Sequence, residues 1–136
     1  MNQTNILPHG TNIRLLFQQC QCEPEYIHNP EPVRDFVRQA VENAGLIAIK
    51  DVHYTFEGGG YTIAVILAES HVVLHTWPEY QDMVLVELSV CDFMRSNRDR
   101  AIHLGEELAR IFQPETIRRE ILNMIPGQEE PVPAEA

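Results

Sequence analysis

The chain has 136 residues, enough for one domain around one core, and its 44% apolar content is ordinary for a globular protein. Ten basic residues against twenty acidic ones leave a net charge of −10. That balance repels phosphate, which argues against nucleic acid and suits cationic or zwitterionic small molecules. No apolar run approaches the roughly 20 residues of a membrane span, and the polar N-terminus lacks a signal-peptide pattern. A cytoplasmic protein without membrane contact is therefore expected. Lys50 is the only lysine, with nothing like a pyridoxal-phosphate site around it, so carbonyl chemistry would need another source. Cys20, Cys22 and Cys91 form no disulfide framework, and Cys20-x-Cys22 has no second pair at a zinc-ribbon spacing, so no metal site is expected.

In chain order, alternation of Ile13, Leu15 and Phe17 predicts a first strand from Asn12 to about Cys20. Pro24 to Pro32 reads as a loop ending in the helix-start signal Asn-Pro-Glu-Pro. Val33, Phe36, Val37, Ala40, Val41 and Ala44 hold a helical stripe, and Gly45 supplies its stop. Leu46–Phe56 and Tyr61–Ala68 make a hairpin across Glu57-Gly58-Gly59-Gly60. The three glycines lack the following helix and Lys-Ser/Thr pair of a phosphate loop. After a turn at Pro78 to Asp82, Met83–Cys91 is another strand. Ser96-Asn97-Arg98-Asp99 has capping-box-like spacing before a helix carrying Ala101, Leu104, Leu108, Ala109 and Phe112 on its apolar face. Glu115 to Leu122 fits a strand or a short helix. Residues 126–136 are acidic, Pro-rich and expected to be disordered, leaving a single domain over 1–125. The order predicts an α+β fold: a two-layer α/β sandwich, an antiparallel-rich sheet with two helices on one face, in two roughly mirrored halves.

Those halves meet at Glu69-Ser70-His71-Val72-Val73-Leu74-His75-Thr76-Trp77-Pro78-Glu79. Strand alternation puts His71, Val73 and His75 on one face, and Ser70, Val72, Leu74 and Thr76 on the other. Polar residues inside an otherwise buried pattern need a reason, because an unpaired buried polar group costs about 1–3 kcal/mol.

This segment resembles the self-cleavage segment of the bacterial and archaeal S-adenosylmethionine decarboxylases, small pyruvoyl-dependent enzymes of polyamine synthesis. The resemblance is strongest from Thr55 to Cys91 and extends to about Leu122. It implies the same two-layer architecture, with protomers pairing as a homodimer and active sites near the interface. It implies cleavage between Glu69 and Ser70: Ser70 Oγ attacks the Glu69 carbonyl, a base removes the Ser70 α-proton, and β-elimination followed by hydrolysis leaves a pyruvoyl cofactor. His75 stands at the processing-base position, and an imidazole suits proton transfer near neutral pH. Thr62 stands where a hydroxyl assists processing, usually a Ser. Cys91 matches the acid that returns a proton to the substrate, Phe56 the aromatic that stacks on adenine, and Glu79 the carboxylate on the ribose hydroxyls. The resemblance implies a small amino-acid-type substrate, S-adenosylmethionine first, in spermidine synthesis.

The sequence departs from the family pattern around the substrate. Gly10-Thr11-Asn12 replaces a Gly-x-His start, Leu16 falls at an acidic position, and Asp92 follows Cys91 where Gly is usual. Cys91 lies sixteen residues after His75, one more than the pattern, and the surplus is assigned to the Gln81-Asp82 turn. Some homologues decarboxylate ornithine or arginine, and Glu57 and Asp82 are candidate carboxylates for such a cationic side chain. An unprocessed, non-catalytic relative would keep the same motif without using it. A metal site built from His71, His75 and Glu79 or Cys91 would use the same side chains differently.

Overall fold

The computed structural model describes residues 10–92, 95–124 and 132–133. Its strands are β1 (Gly10–Cys20), β2 (Ala48–Thr55), β3 (Tyr61–Leu67), β4 (Ser70–Trp77), β5 (Met83–Cys91), β6 (Pro114–Met124) and the short β7 (Val132–Pro133). Its helices are α1 (Glu25–His28), α2 (Pro30–Asn43) and α3 (Arg98–Phe112), with a 3-10 turn at Pro78–Tyr80. The strands form one sheet in the order β2-β3-β4-β5-β1-β6-β7, antiparallel at every pairing. The architecture is the expected α+β sandwich, and the open question at residues 115–122 resolves as strand. The tail beyond residue 125 lies mostly outside the described residues, whose two members there, Val132 and Pro133, extend the sheet along β6.

The halves interleave rather than sitting side by side. β1 inserts between β5 and β6, so the chain must cross the sheet through α2 to begin the hairpin at the far edge. α2 starts where the Asn-Pro signal places it: Asn29 Oδ1 accepts the Glu31 N–H at 3.1 Å and Pro30 occupies the first turn. It ends on Gly45 at φ +83°, with Gly45 N–H donating to Glu42 O and Leu46 N–H to Val41 O, both at 3.0 Å. The segment read as loop before it contains α1, a single turn whose Ile27 is buried.

The helices cover one sheet face. Ile13, Leu15 and Phe17 of β1, Tyr61, Ile63 and Val65 of β3, and Val84, Val86 and Leu88 of β5 meet Val33, Val37, Leu104, Leu108 and Phe112 in a single core. The other face carries Arg14 and Leu16, Thr62 and Ile66, His71 and His75, Leu85 and Glu87, and no helix lies on it among the described residues. Ile66 is 54% exposed there, and Val52 and Tyr54 on β2 more so, which leaves an apolar surface unpartnered in the single chain. No helix among the described residues is long and apolar enough to cross a membrane.

Two arginines of α2 tie down the edge strand β2. Arg34 Nε donates to Asp51 Oδ1 at 2.8 Å and Arg38 Nη1 to Oδ2 at 2.7 Å. Burial alone would raise the Asp51 carboxyl, but the hydrogen bonds from Arg38 and Arg34 outweigh it and hold the group below the usual carboxylate range. A folded pKa below the unfolded one stabilises fully above the unfolded value and is lost as pH falls through the folded one. Asp51→Asn in a Ser70→Ala background is expected to cost about 1–2 kcal/mol at neutral pH in urea unfolding. That difference should shrink as the medium is acidified below the ordinary carboxylate range.

Candidate active site

β3 and β4 join through the two-residue loop Ala68-Glu69, with Leu67 opposite Ser70, so the Glu69–Ser70 bond sits at the tip of a tight hairpin. Ser70 has φ +132°, a conformation that favours glycine and costs a residue with a Cβ of order 1–3 kcal/mol. The Glu69 carbonyl accepts a hydrogen bond from the Cys91 N–H at 3.0 Å, and the Ser70 hydroxyl lies 3.3 Å from His71 Nδ1. A backbone donor on the carbonyl carbon's oxygen is the arrangement that stabilises charge when a nucleophile adds there. Arg95 Nη2 donates to Glu69 Oε1 at 3.0 Å and Asn97 Nδ2 to Oε2 at 2.7 Å. Together they hold the Glu69 carboxyl below its ordinary range, Arg95 contributing most, against the opposing effect of burial.

The second group of expected residues lies at the other end of the same two strands. Thr62 pairs with His75 across β3 and β4, and Thr62 Oγ1 is 3.0 Å from His75 Nδ1. The other ring nitrogen, Nε2, is 3.4 Å from Glu87 Oε1, and Glu87 Oε2 is 3.6 Å from Arg14 Nε. Leu16, at the position where the family pattern has an acid, pairs with Leu85, the cross-strand neighbour of His75. Glu87, one row along the same face, places a carboxylate beside the imidazole instead.

Phe56 follows β2 at this end, half-exposed, its ring 5.0 Å from that of Tyr54, which pairs with Thr62. Glu79 stands in the 3-10 turn beneath the glycine loop. A Cβ on Gly59 would lie 3.2 Å from Pro78, and one on Gly60 2.7 Å from the Thr76 carbonyl oxygen, so glycine is required where the two turns touch. The extra residue assigned to the Gln81-Asp82 turn falls where both residues have positive φ, 58° and 56°. Asp82 lies beside Cys20, whose N–H donates to its carbonyl, and Glu57 is exposed in the glycine loop.

The structure thus brings Glu69, Ser70 and Cys91 together, and separately Thr62 and His75, with Phe56 and Glu79 at their end. Ser70 and His75 are five residues apart on one strand, roughly 17 Å, which no imidazole can span. His71 and His75, four apart, are separated by roughly 13 Å and cannot share one ion within a chain. Among the described residues no cluster of three His, Cys, Asp or Glu is arranged to hold a metal.

Sequence reasoning missed Asn97 and Arg95, and it read Ser96-Asn97-Arg98-Asp99 as a capping box. The helix begins at Arg98 with Asn97 in the cap position, and no side chain caps it. The Asn97 amide is engaged with Glu69 and the Cys91 carbonyl instead. A buried Asn at a cap position is a weak signal by itself, since capping is its ordinary use.

Comparison with known proteins agrees with this fold. Residues 14–122 match the S-adenosylmethionine decarboxylase family model. An S-adenosylmethionine decarboxylase proenzyme from Archaeoglobus fulgidus is 36% identical over 99 residues, covering 73% of this chain and 84% of the relative. An arginine decarboxylase proenzyme from Ignicoccus hospitalis is 31% identical over 84 residues, covering 60% of this chain and 57% of the relative. The crystal structure of the adenosylmethionine decarboxylase from Aquifex aeolicus superposes with a TM-score of 0.75 at 26% identity, covering 89% of this chain and 94% of that one. The chain belongs to the S-adenosylmethionine decarboxylase family.

Proposed function

We propose that the chain is a proenzyme that cuts itself between Glu69 and Ser70 and, through the pyruvoyl group formed from Ser70, decarboxylates S-adenosylmethionine for spermidine synthesis. The observation that carries this reading is the hairpin tip, where a conformationally strained serine follows a carbonyl already held by the Cys91 N–H. Ser70 Oγ bonds to the Glu69 carbonyl carbon, the peptide C–N bond breaks, and the hydroxyl proton ends on the Ser70 nitrogen. The strain at Ser70 favours this step, since cutting the bond releases the φ constraint. A base then takes the Ser70 α-proton, the ester C–O bond breaks, and Glu69 leaves as a carboxylate. Water replaces the nitrogen of the dehydrated residue, releasing ammonia.

The pyruvoyl group, once present, supplies the carbonyl electron sink that decarboxylation needs. The chain's residues do the rest. Cys91 Sγ holds the proton returned to the substrate carbon, Phe56 offers a face for the adenine, and Glu79 a carboxylate for the ribose hydroxyls. His75 is the processing base, with Thr62 on one ring nitrogen and Glu87 beside the other.

His75 and Ser70 cannot meet within one chain, so the working enzyme is a homodimer. The uncovered sheet face bears Thr62, His75 and the exposed Val52, Tyr54 and Ile66, and a second copy against it brings the His75 of each chain to the Ser70 of the other.

Intact mass under denaturing conditions tests the cleavage. Two fragments meeting at Glu69/Ser70 are expected, the C-terminal one lighter than a Ser-started chain by one ammonia. A single species after long incubation refutes it. The arginine decarboxylase relative and Leu16 at the acidic position favour a second substrate reading, arginine or ornithine. Carbon dioxide release from S-adenosylmethionine, arginine and ornithine separates the two.

A further inference from the structure

Asn97 is wholly buried, at 0% exposure, one residue before α3. Its amide gives one hydrogen to Glu69 Oε2 at 2.7 Å and the other to the Cys91 carbonyl at 2.9 Å. The Cys91 N–H returns to the Glu69 carbonyl at 3.0 Å, which closes a ring of hydrogen bonds through three residues from three separate parts of the chain. The asparagine itself is pinned by its own N–H on Asp92 Oδ1 at 2.9 Å. Arg95 Nη2 bridges the second Glu69 carboxylate oxygen, at 3.0 Å, to the Gly45 carbonyl, at 3.1 Å.

We propose that Asn97, backed by Arg95, is the positioning residue of the self-cleavage, holding Glu69 and Cys91 in register so that the scissile carbonyl stays on its donor while Ser70 Oγ attacks. The inference rests on the proposed cleavage between Glu69 and Ser70. Negative charge develops on the Glu69 carbonyl oxygen as the O–C bond forms, and the Cys91 N–H stabilises it only if aimed beforehand. A two-residue hairpin tip is a place where backbone hydrogen bonds open readily. The Glu69 side chain is the handle by which the tip is tied to the start of α3. After the cut the clamp joins the two fragments, because Glu69 ends the first and Asn97 and Arg95 belong to the second.

The test follows cleavage by denaturing mass in freshly made wild type, Asn97→Ala, Glu69→Ala and the double variant. Each single change is expected to slow cleavage by tenfold or more, a displacement of about 1 Å being enough for such losses. The double variant should be no slower than the worse single one, because both break one ring. In a His75→Ala background the α-proton stays and the ester persists, so hydroxylamine cuts at Glu69 only in chains that have made it. Asn97→Ala should reduce that cut by the factor seen in the cleavage rate. Glu69→Ala leaves the buried residue in place and serves if Asn97→Ala does not fold. Variants that cleave as fast as a wild type that does cleave, or effects that multiply, overturn the inference alone. A wild type that never cleaves overturns the proposed function, and the clamp's role with it.

Discussion

Co-expression of a Ser70→Ala chain with a His75→Ala chain is expected to restore cleavage that neither shows alone. Ser70→Ala removes the proposed nucleophile and is expected to stay intact. His75→Ala keeps the proposed nucleophile and the Cys91 donor but lacks the proposed base. Because Ser70 and His75 are roughly 17 Å apart along β4, the proposed base would serve the serine of a second chain. Random pairing places about half of the His75→Ala chains beside a partner that retains His75, so about half should be cut. The fragments are resolved by tagging the two chains differently and reading each by mass. Cleavage of His75→Ala alone would show that another group, His71 being the nearest at 3.3 Å from the hydroxyl, serves as base. No cleavage in the mixture, with hetero-pairs present, would refute the shared site.

Cys91→Ser should separate the two roles of one residue. Its backbone N–H acts on the Glu69 carbonyl and its thiol is proposed to return the proton after decarboxylation. The substitution keeps the N–H and replaces a half-buried thiol by a much weaker acid. Self-cleavage should then proceed within a few-fold of wild type, while carbon dioxide release per cleaved chain falls about 10²- to 10³-fold. An unchanged turnover would reduce Cys91 to a small space-filling side chain. A block in cleavage itself would move the thiol into the processing step.

Cys20 illustrates why cysteine count alone says little about reactivity. Burial, with Cys22 and Asp82 nearby, pushes its thiol up to about 12, so it packs as an inert apolar group at the end of β1. Cys91, in the same chain, is proposed as functional because it stands at the position of the family's acid, beside the Glu69 carbonyl that its N–H holds.

Much of the fold could be read directly. The stripe from Val33 to Ala44, the Gly45 stop, and the alternation in β1, β3 and β5 are local periodicities, and each became the element it predicts. The hairpin over Glu57-Gly58-Gly59-Gly60 was equally legible, because positive φ at three successive glycines leaves the chain few other options. The short turn α1 was not, since four residues between prolines carry no stripe. Nor was β6, whose residues 115–120 are all exposed and show no alternation to separate strand from helix; its pairing with β1 decides the matter.

By itself the sequence determined the chemistry-bearing segment, the face that His71, Val73 and His75 share, and the residue types a self-cleaving decarboxylase needs. Those properties depend on neighbours within a few positions. Only the tertiary structure decided that β1 lies between β5 and β6, that Ser70 and His75 stand at opposite ends of a strand, and that Asn97 binds Glu69 and Cys91 rather than its helix. Each is a long-range pairing, chosen by burial and hydrogen-bond satisfaction over the whole chain, and neither a period of 2 nor one of 3.6 carries that information.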